Sequence, residues 1–259
     1  MRNKAKLLEY LENIDQVRGW CIPQLWNCIE PVSNLITEFG IDHKPIGEIG
    51  VHHGKFFLGL ALTLNSTQVH EAMDVFDMQE FNLDQSGQGN LNSFRENLAK
   101  FGVEEYEPHT VDSLQLSQSF ILEREHRFSM FSVDGCHTPE HTVNDLEIAV
   151  KVTDPAGVIY LDDYYNPNWP GVQEGYVSWM NAQPRTWVPF LFTCNKLFLC
   201  KISYLDRYLT SVEHFLTKHY PSSRVKKVSR FGYDSLTVIP ALKDKTYLAY
   251  EAENLPEAH

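Results

Sequence analysis

The chain of 259 residues contains no CxxC pair. Its five cysteines (Cys21, Cys28, Cys136, Cys194 and Cys200) are odd in number and widely spread. This argues against both a disulfide framework and a structural zinc site, and reduced buried thiols are expected. No apolar stretch approaches the ~18 uncharged residues of a membrane helix. The N-terminus, MRNKAKLLEYLENIDQVRGW, has charges scattered where a signal peptide would be apolar. A cytoplasmic protein without a membrane span follows as an expectation. Positive charge is also scarce: 22 Lys and Arg against 34 Asp and Glu leave a net charge of −12 with histidine neutral. Nucleic acid and anionic membranes are therefore poor partners, because both need a basic surface. Repeats, low-complexity tracts and linkers are missing too. With 43% hydrophobic and 22% charged residues, one soluble domain over 1–259 is expected.

What is present is an alternation. Residues 4–17 and 23–39 have helical spacing and form an N-terminal helical extension that packs on something larger. Strand-like segments then follow at 45–51, 69–75, near 106–111, 127–133 and 157–161. Helical segments lie between them at 54–64, 91–101, near 114–124 and 138–151, with a polar loop from Asp77 to Asn90. Such βαβ units predict an α/β, Rossmann-like, doubly wound and mostly parallel sheet, covered on both faces. The tail segments Val188–Phe192, Leu197–Ile202, Lys227–Phe231 and Ser235–Ile239 have tighter connections, as antiparallel C-terminal strands completing the sheet would.

Ligands of such sheets bind beyond the carboxyl ends of the strands, and there the chain places acids and glycines. Glu48-Ile-Gly50-x-x-x-Gly54 turns a strand sharply into a helix. A diphosphate site would want GxGxxG, but His52 stands where the second glycine should be, so a nucleoside ligand with a small carboxylate and no phosphate fits better. Asp74, ending the second strand about 20 residues on, suits ribose hydroxyls. Asp112 and Ser113 either meet a base edge or cap the next helix. Asp134 and the pair Asp162-Asp163 each follow a very apolar strand. Three carboxylates held together there repel one another unless protonated or bridged, which suits Mg²⁺, or Mn²⁺ or Ca²⁺. His137, three residues past Asp134, can remove a proton near neutral pH. His52 and His53 read as turn residues; His109, His126, His141 and His219 have no partner pattern. Arg224, Lys226 and Lys227 read as a solvated edge.

The segments EIGVHHG (48–54), AMDVF (72–76), VDS (111–113), VDGCH (133–137) and IYLDDY (159–164) resemble the class I S-adenosylmethionine-dependent methyltransferases. In particular they resemble the metal-dependent sugar and natural-product O-methyltransferases typified by the macrocin and mycinamicin enzymes, over about residues 45–200. The resemblance implies that Glu48, Gly50 and Gly54 shape the pocket for the methionine part of S-adenosylmethionine, that Asp74 holds the ribose, and that Asp112 and Ser113 border adenine. It implies a metal, Mg²⁺, on Asp134, Asp162 and Asp163, with His137 or Asp134 as base. Asp162 departs from relatives that carry Glu at this position. The division implied is a helical lead-in over 1–44, a cofactor- and metal-binding core over 45–163, and an acceptor-side segment with sheet completion over 164–259. The loop 79–90 and the segment 165–176 would be acceptor-side elements, and their Asn, Gln and Trp content suits a small hydroxylated acceptor.

The expected activity is methyl transfer to a hydroxyl. Two other readings remain open at this point. A nicotinamide-dependent oxidoreductase shares the strand, glycine turn and later acid but lacks GxGxxG; a non-catalytic nucleoside-binding module would bind without transfer. The N-terminal helices could build a homo-oligomer contact or cap their own sheet.

Overall fold

Apolar runs bounded by turn residues build the frame of the protein. In the computed structural model, which describes residues 4–182 and 184–242, helices α1 (Lys4–Glu12) and α2 (Trp26–Glu38) precede the sheet. The alternating part runs β1 (Ile46–Ile49), α3 (Lys55–Thr63), β2 (His70–Asp74), α4 (Leu91–Lys100), β3 (Tyr106–Thr110), α5 (Gln118–Leu122), β4 (Phe128–Val133), α6 (Pro139–Val152) and β5 (Thr153–Leu161). Every residue of β1 and β4 is buried, as parallel strands covered by helices on both faces must be. The remainder is α7 (Pro170–Ala182), β6 (Trp187–Thr193), β7 (Lys196–Lys201), α8 (Leu205–His219), β8 (Arg224–Arg230) and β9 (Tyr233–Ile239).

The nine strands form one sheet in the order β3-β2-β1-β4-β5-β7-β6-β9-β8. β1 to β5 pair in parallel, and β7 runs antiparallel to both β5 and β6. The expected Rossmann-like fold with antiparallel C-terminal strands is therefore present, with one difference: β9 pairs with β6 in parallel, because α8 carries the chain back across the sheet between them. One face is filled by residues such as Trp26, Phe57, Phe190 and Tyr208, the other by Phe131, Leu146, Tyr176 and Trp179.

Three local expectations change. The helix expected near 114–124 is broken, because Ser117 accepts a hydrogen bond from the Phe120 N–H and starts the short α5 afresh. The segment 165–176 is part loop and part helix, since α7 begins at Pro170 and buries Val172, Tyr176 and Trp179. α8 also lies in a tail read only as strands, although Leu205, Leu209, Val212 and Leu216 recur at helical spacing on its buried face.

The sheet also carries a pH-sensitive contact. His70 is buried, and its Nδ1 accepts the Ile46 N–H at 3.0 Å, tying β2 to β1. Burial, with a smaller effect of Arg127, lowers its pKa to about 4. An unfolded histidine takes up a proton near 6.5, so between those values the unfolded chain binds more protons. Stability from this group is complete above pH 6.5 and falls by about 3 kcal/mol as pH drops through 4. In His70→Asn, whose amide oxygen can accept the same N–H, urea midpoints measured between pH 7 and pH 4 should fall less than in the wild type. Equal slopes would show that His70 is already charged in the fold.

Candidate active site

Strand order reverses between β1 and β4, and the chain leaves the two strands in opposite directions, opening a crevice at their carboxyl ends. A cavity of about 930 Å³ occupies it. Glu48, Gly50, Asp74, Asp112, Ser113, Asp134, His137, Asp162 and Asp163 all line this cavity. Gly54 does not line it. It caps α3 with φ +84, and a Cβ there would press on Phe94 and Leu98, so it shapes the turn from behind.

One end of the cavity is ordered by backbone donors. Asp74 Oδ2 accepts the His52 N–H at 2.7 Å and Oδ1 the Phe76 N–H at 2.6 Å. Burial pushes this carboxyl up to about 6 against the pull of those two N–H groups. The Val51 N–H adds to this pull, and of the four lone pairs of the carboxylate at least one remains for a ligand hydroxyl. Asp112 caps the turn that follows it, accepting the Leu114 N–H at 3.0 Å, and stands 3.3 Å from His141 Nε2. Asp112 is therefore a cap, as one of its two readings expected, and it also lines the cavity.

The other end is acidic. Asp162 and Asp163 are adjacent, but Asp163 has φ +57 and the two side chains part. Asp163 Oδ1 accepts amide hydrogens from Asn166 at 2.8 Å and Asn195 at 2.5 Å, while Oδ2 lies 2.9 Å from His137 Nε2. Asp162 turns instead to Lys196, whose Nζ contacts Oδ2, and its Oδ1 accepts the Asp163 N–H at 2.8 Å. Asp134 stands between, its Oδ1 3.9 Å from His137 Nε2 and its Oδ2 3.9 Å from Lys196 Nζ. The expected trio is therefore not gathered as one set. Asp134, Asp163 and His137 present ligand atoms within 4.8 Å of one another, without Asp162.

Charge explains this arrangement. Burial lowers the pKa of Lys196, but Asp162 and Asp134 outweigh it and hold the ammonium above the usual lysine range. Burial and then repulsion from Asp134 push Asp162 up, with Lys196 pulling the other way; with the two groups in contact, the proton stays on the amine. His137 is lowered by burial and raised more strongly by Asp134, Asp163 and Asp84, to about 12. Burial, then Asp134, raises Glu48 well above its usual range, which leaves it neutral with Oε1 accepting the Ser132 hydroxyl and Oε2 unpaired. Asp84, Asp134, Asp162 and Asp163 thus face two basic side chains, His137 and Lys196, so that carboxyl groups outnumber basic groups here.

Asp84 and Lys196 had no part in the sequence reading. Asp84, in the loop after β2, accepts both His137 Nδ1–H and the His137 backbone N–H through Oδ2 at 2.7 Å. Lys196 opens β7, and the antiparallel register that places Leu161 opposite Leu197 brings it beside Asp162; a lysine directly before an apolar strand was the available signal. Trp169 stacks on His137, with ring centres 4.5 Å apart at 16°. The lead-in does more than pack, since Gly19, Trp20, Cys21 and Ile22 line the cavity. Trp20 is 76% exposed and lies against His52, a turn residue with φ +52 that also lines the cavity. All five cysteines are free, and among the described residues no helix is long and apolar enough to cross a membrane.

Residues 48–164 match the family model of a methyltransferase domain. No curated protein matches the chain. Among solved structures, the O-methyltransferase NovP is 11% identical, with a TM-score of 0.55 over 70% of this chain and 80% of its own. A Corynebacterium glutamicum protein is 8% identical, with a TM-score of 0.52 over 76% of this chain and 89% of its own. An O-methyltransferase from Bacillus cereus, solved in complex with SAH, is 16% identical, with a TM-score of 0.49 over 77% of this chain and 90% of its own. The segment 48–164 thus matches a methyltransferase domain, and the sheet around it has the fold seen in the O-methyltransferase NovP.

Proposed function

We propose that the chain is an S-adenosylmethionine-dependent O-methyltransferase that uses a divalent cation and acts on a hydroxyl of a small polyhydroxylated acceptor, such as a sugar, a glycoside or a natural product. The observation that carries this reading is the single cavity whose one end is lined by Asp74 and Asp112 and whose other end is lined by Asp134 and Asp163. A nucleoside and a reacting hydroxyl can therefore share one space. The residues fit both absent groups: Asp74 has at least one lone pair left for ribose, and carboxyl groups outnumber basic groups at the acidic end.

When bound, S-adenosylmethionine supplies a methyl group on a positively charged sulfur, and a divalent cation supplies charge that lowers the pKa of a hydroxyl. The chain supplies placement. Asp74 holds the ribose, Asp112 and Ser113 border adenine, and Glu48 with Gly50 faces the methionine part. In this reading Asp134 takes the acceptor proton. Its side chain is 26% exposed, against 10% for His137, and neither oxygen has a cationic partner closer than 3.9 Å. His137 is less suited as base, because Asp84 and Asp163 occupy its two edges. Trp20 and residues of the loop from Asp77 to Asn90 line the same cavity. The missing GxGxxG weighs against the nicotinamide reading, and the acidic end, which nucleoside binding alone would not need, weighs against the binding module.

Calorimetric titration with S-adenosylhomocysteine tests the cofactor half. The wild type should bind, and Asp74→Ala should bind about 10- to 100-fold more weakly, as loss of hydrogen bonds to a charged group predicts. Screening of hydroxylated acceptors for the mass gain of one methyl tests the other half. Absence of binding, or an undisturbed Asp74→Ala, would refute the assignment.

A further inference from the structure

His137 has one nitrogen satisfied and one that is not. Nδ1 donates to Asp84 at 2.7 Å. Nε2 is buried and makes no hydrogen bond, although Asp163 Oδ2 lies only 2.9 Å away; the two atoms are close but out of line for one. The side chain is nine-tenths buried, with 10% of its surface exposed. An imidazolium held only by a salt bridge would aim its N–H at the oxygen. Two ligands at right angles on one ion, each bonded at 2.1 Å, are instead about 3.0 Å apart without pointing at each other.

We propose that His137 is a ligand of the divalent cation and not the base, in a site made of Asp134, His137 and Asp163. Asp84 is the outer carboxylate that fixes the imidazole, and Lys196 keeps Asp162 out of the coordination set. The proposal rests on the reading above that the acidic end takes a cation, and it changes which residues hold it. Ligating histidines donate their other N–H to a carboxylate or carbonyl, which fixes the tautomer and turns the free lone pair to the metal; Asp84 is in that position, and its second bond, from the His137 backbone N–H, holds the loop to the residue it orients. Trp169 stacked on the ring sets its plane. Asp163 has Oδ1 occupied by two amides and Oδ2 free for an ion. Asp162 has both oxygens engaged, one by the Lys196 ammonium, whose charge repels a cation there, and the other by a backbone N–H. One imidazole with two carboxylates suits a first-row ion such as Mn²⁺ or Fe²⁺ better than Mg²⁺, which prefers oxygen alone.

The test is pulsed electron paramagnetic resonance of the full chain, stripped of metal and titrated with Mn²⁺. The spectrum should contain the nitrogen coupling of one imidazole, and His137→Ala, shown to be folded by its retained affinity for S-adenosylhomocysteine, should lose it. Asp84→Asn should weaken Mn²⁺ binding about 10- to 100-fold, Asp163→Asn at least as much, and Asp162→Asn by less than about threefold. Mn²⁺ bound without nitrogen coupling, equal losses in Asp162→Asn and Asp163→Asn, or no Mn²⁺ binding would each overturn the assignment. A coupled nitrogen in a protein that does not bind S-adenosylhomocysteine would instead refute the methyltransferase reading and leave the metal centre standing.

Discussion

Asp134→Asn should lower turnover at saturating S-adenosylmethionine and acceptor by about 10³-fold, the scale of a lost general base, while affinity for S-adenosylhomocysteine changes by less than about threefold. Asparagine keeps the shape of the side chain but cannot take a proton, and it is a weaker ligand for a cation. The split between turnover and binding follows from position: the cationic partners of Asp134 are His137 and Lys196 at the acidic end, and the nucleoside end is built on Asp74 and Asp112. The fold should not suffer. After burial, Asp134 is the charge that most raises both Glu48 and Asp162, so its removal relieves repulsion, and the melting temperature should stay level or rise. Steady-state kinetics beside calorimetry decide the matter. A variant within tenfold of wild-type turnover would take Asp134 out of the chemistry.

Gly50→Ala should cost about 4–5 kcal/mol of stability and abolish binding of S-adenosylhomocysteine, a loss of the size reserved for strain and steric conflict at special backbone positions. A Cβ at Gly50 would lie 1.7 Å from the carbonyl oxygen of Asp134 and 2.3 Å from its carbon, and φ is +85. Both obstructing atoms are backbone, so the turn that presents Asp134 would have to move. Gly40→Ala is the control. There φ is +73 and nothing lies within 4 Å of the added carbon, which leaves only the conformational cost of roughly 1–2 kcal/mol. Urea unfolding of both variants separates the two effects. Equal losses would mean that φ alone dictates glycine at position 50.

The parallel half of the fold was legible because its signal is local. The runs FSMFSV and GVIYL carry no charge and are dominated by apolar residues, as suits a doubly covered strand, and the acids that follow them end at one edge of the sheet by topology alone. The helix α8 had an equally plain period but followed strand-like segments and was read with them. Gly54 shows the opposite failure: its spacing matched a ligand turn, yet its neighbours are Phe94 and Leu98. Asp84 had no local signal, since its contact with His137 spans 53 residues and the surrounding loop holds several other acids and amides.

The amino-acid order by itself determined the parallel sheet, the edge at which the cavity opens and the acids that reach it, because periodicity and turn chemistry act over a few residues. Only the tertiary structure decided which of those acids act together. Asp162 and Asp163 are neighbours in the chain, but a left-handed turn at Asp163 and the antiparallel entry of β7 send one to Lys196 and the other to His137. The electrostatic partner of a buried carboxylate is set by which distant strand packs beside it, and sequence spacing does not carry that information.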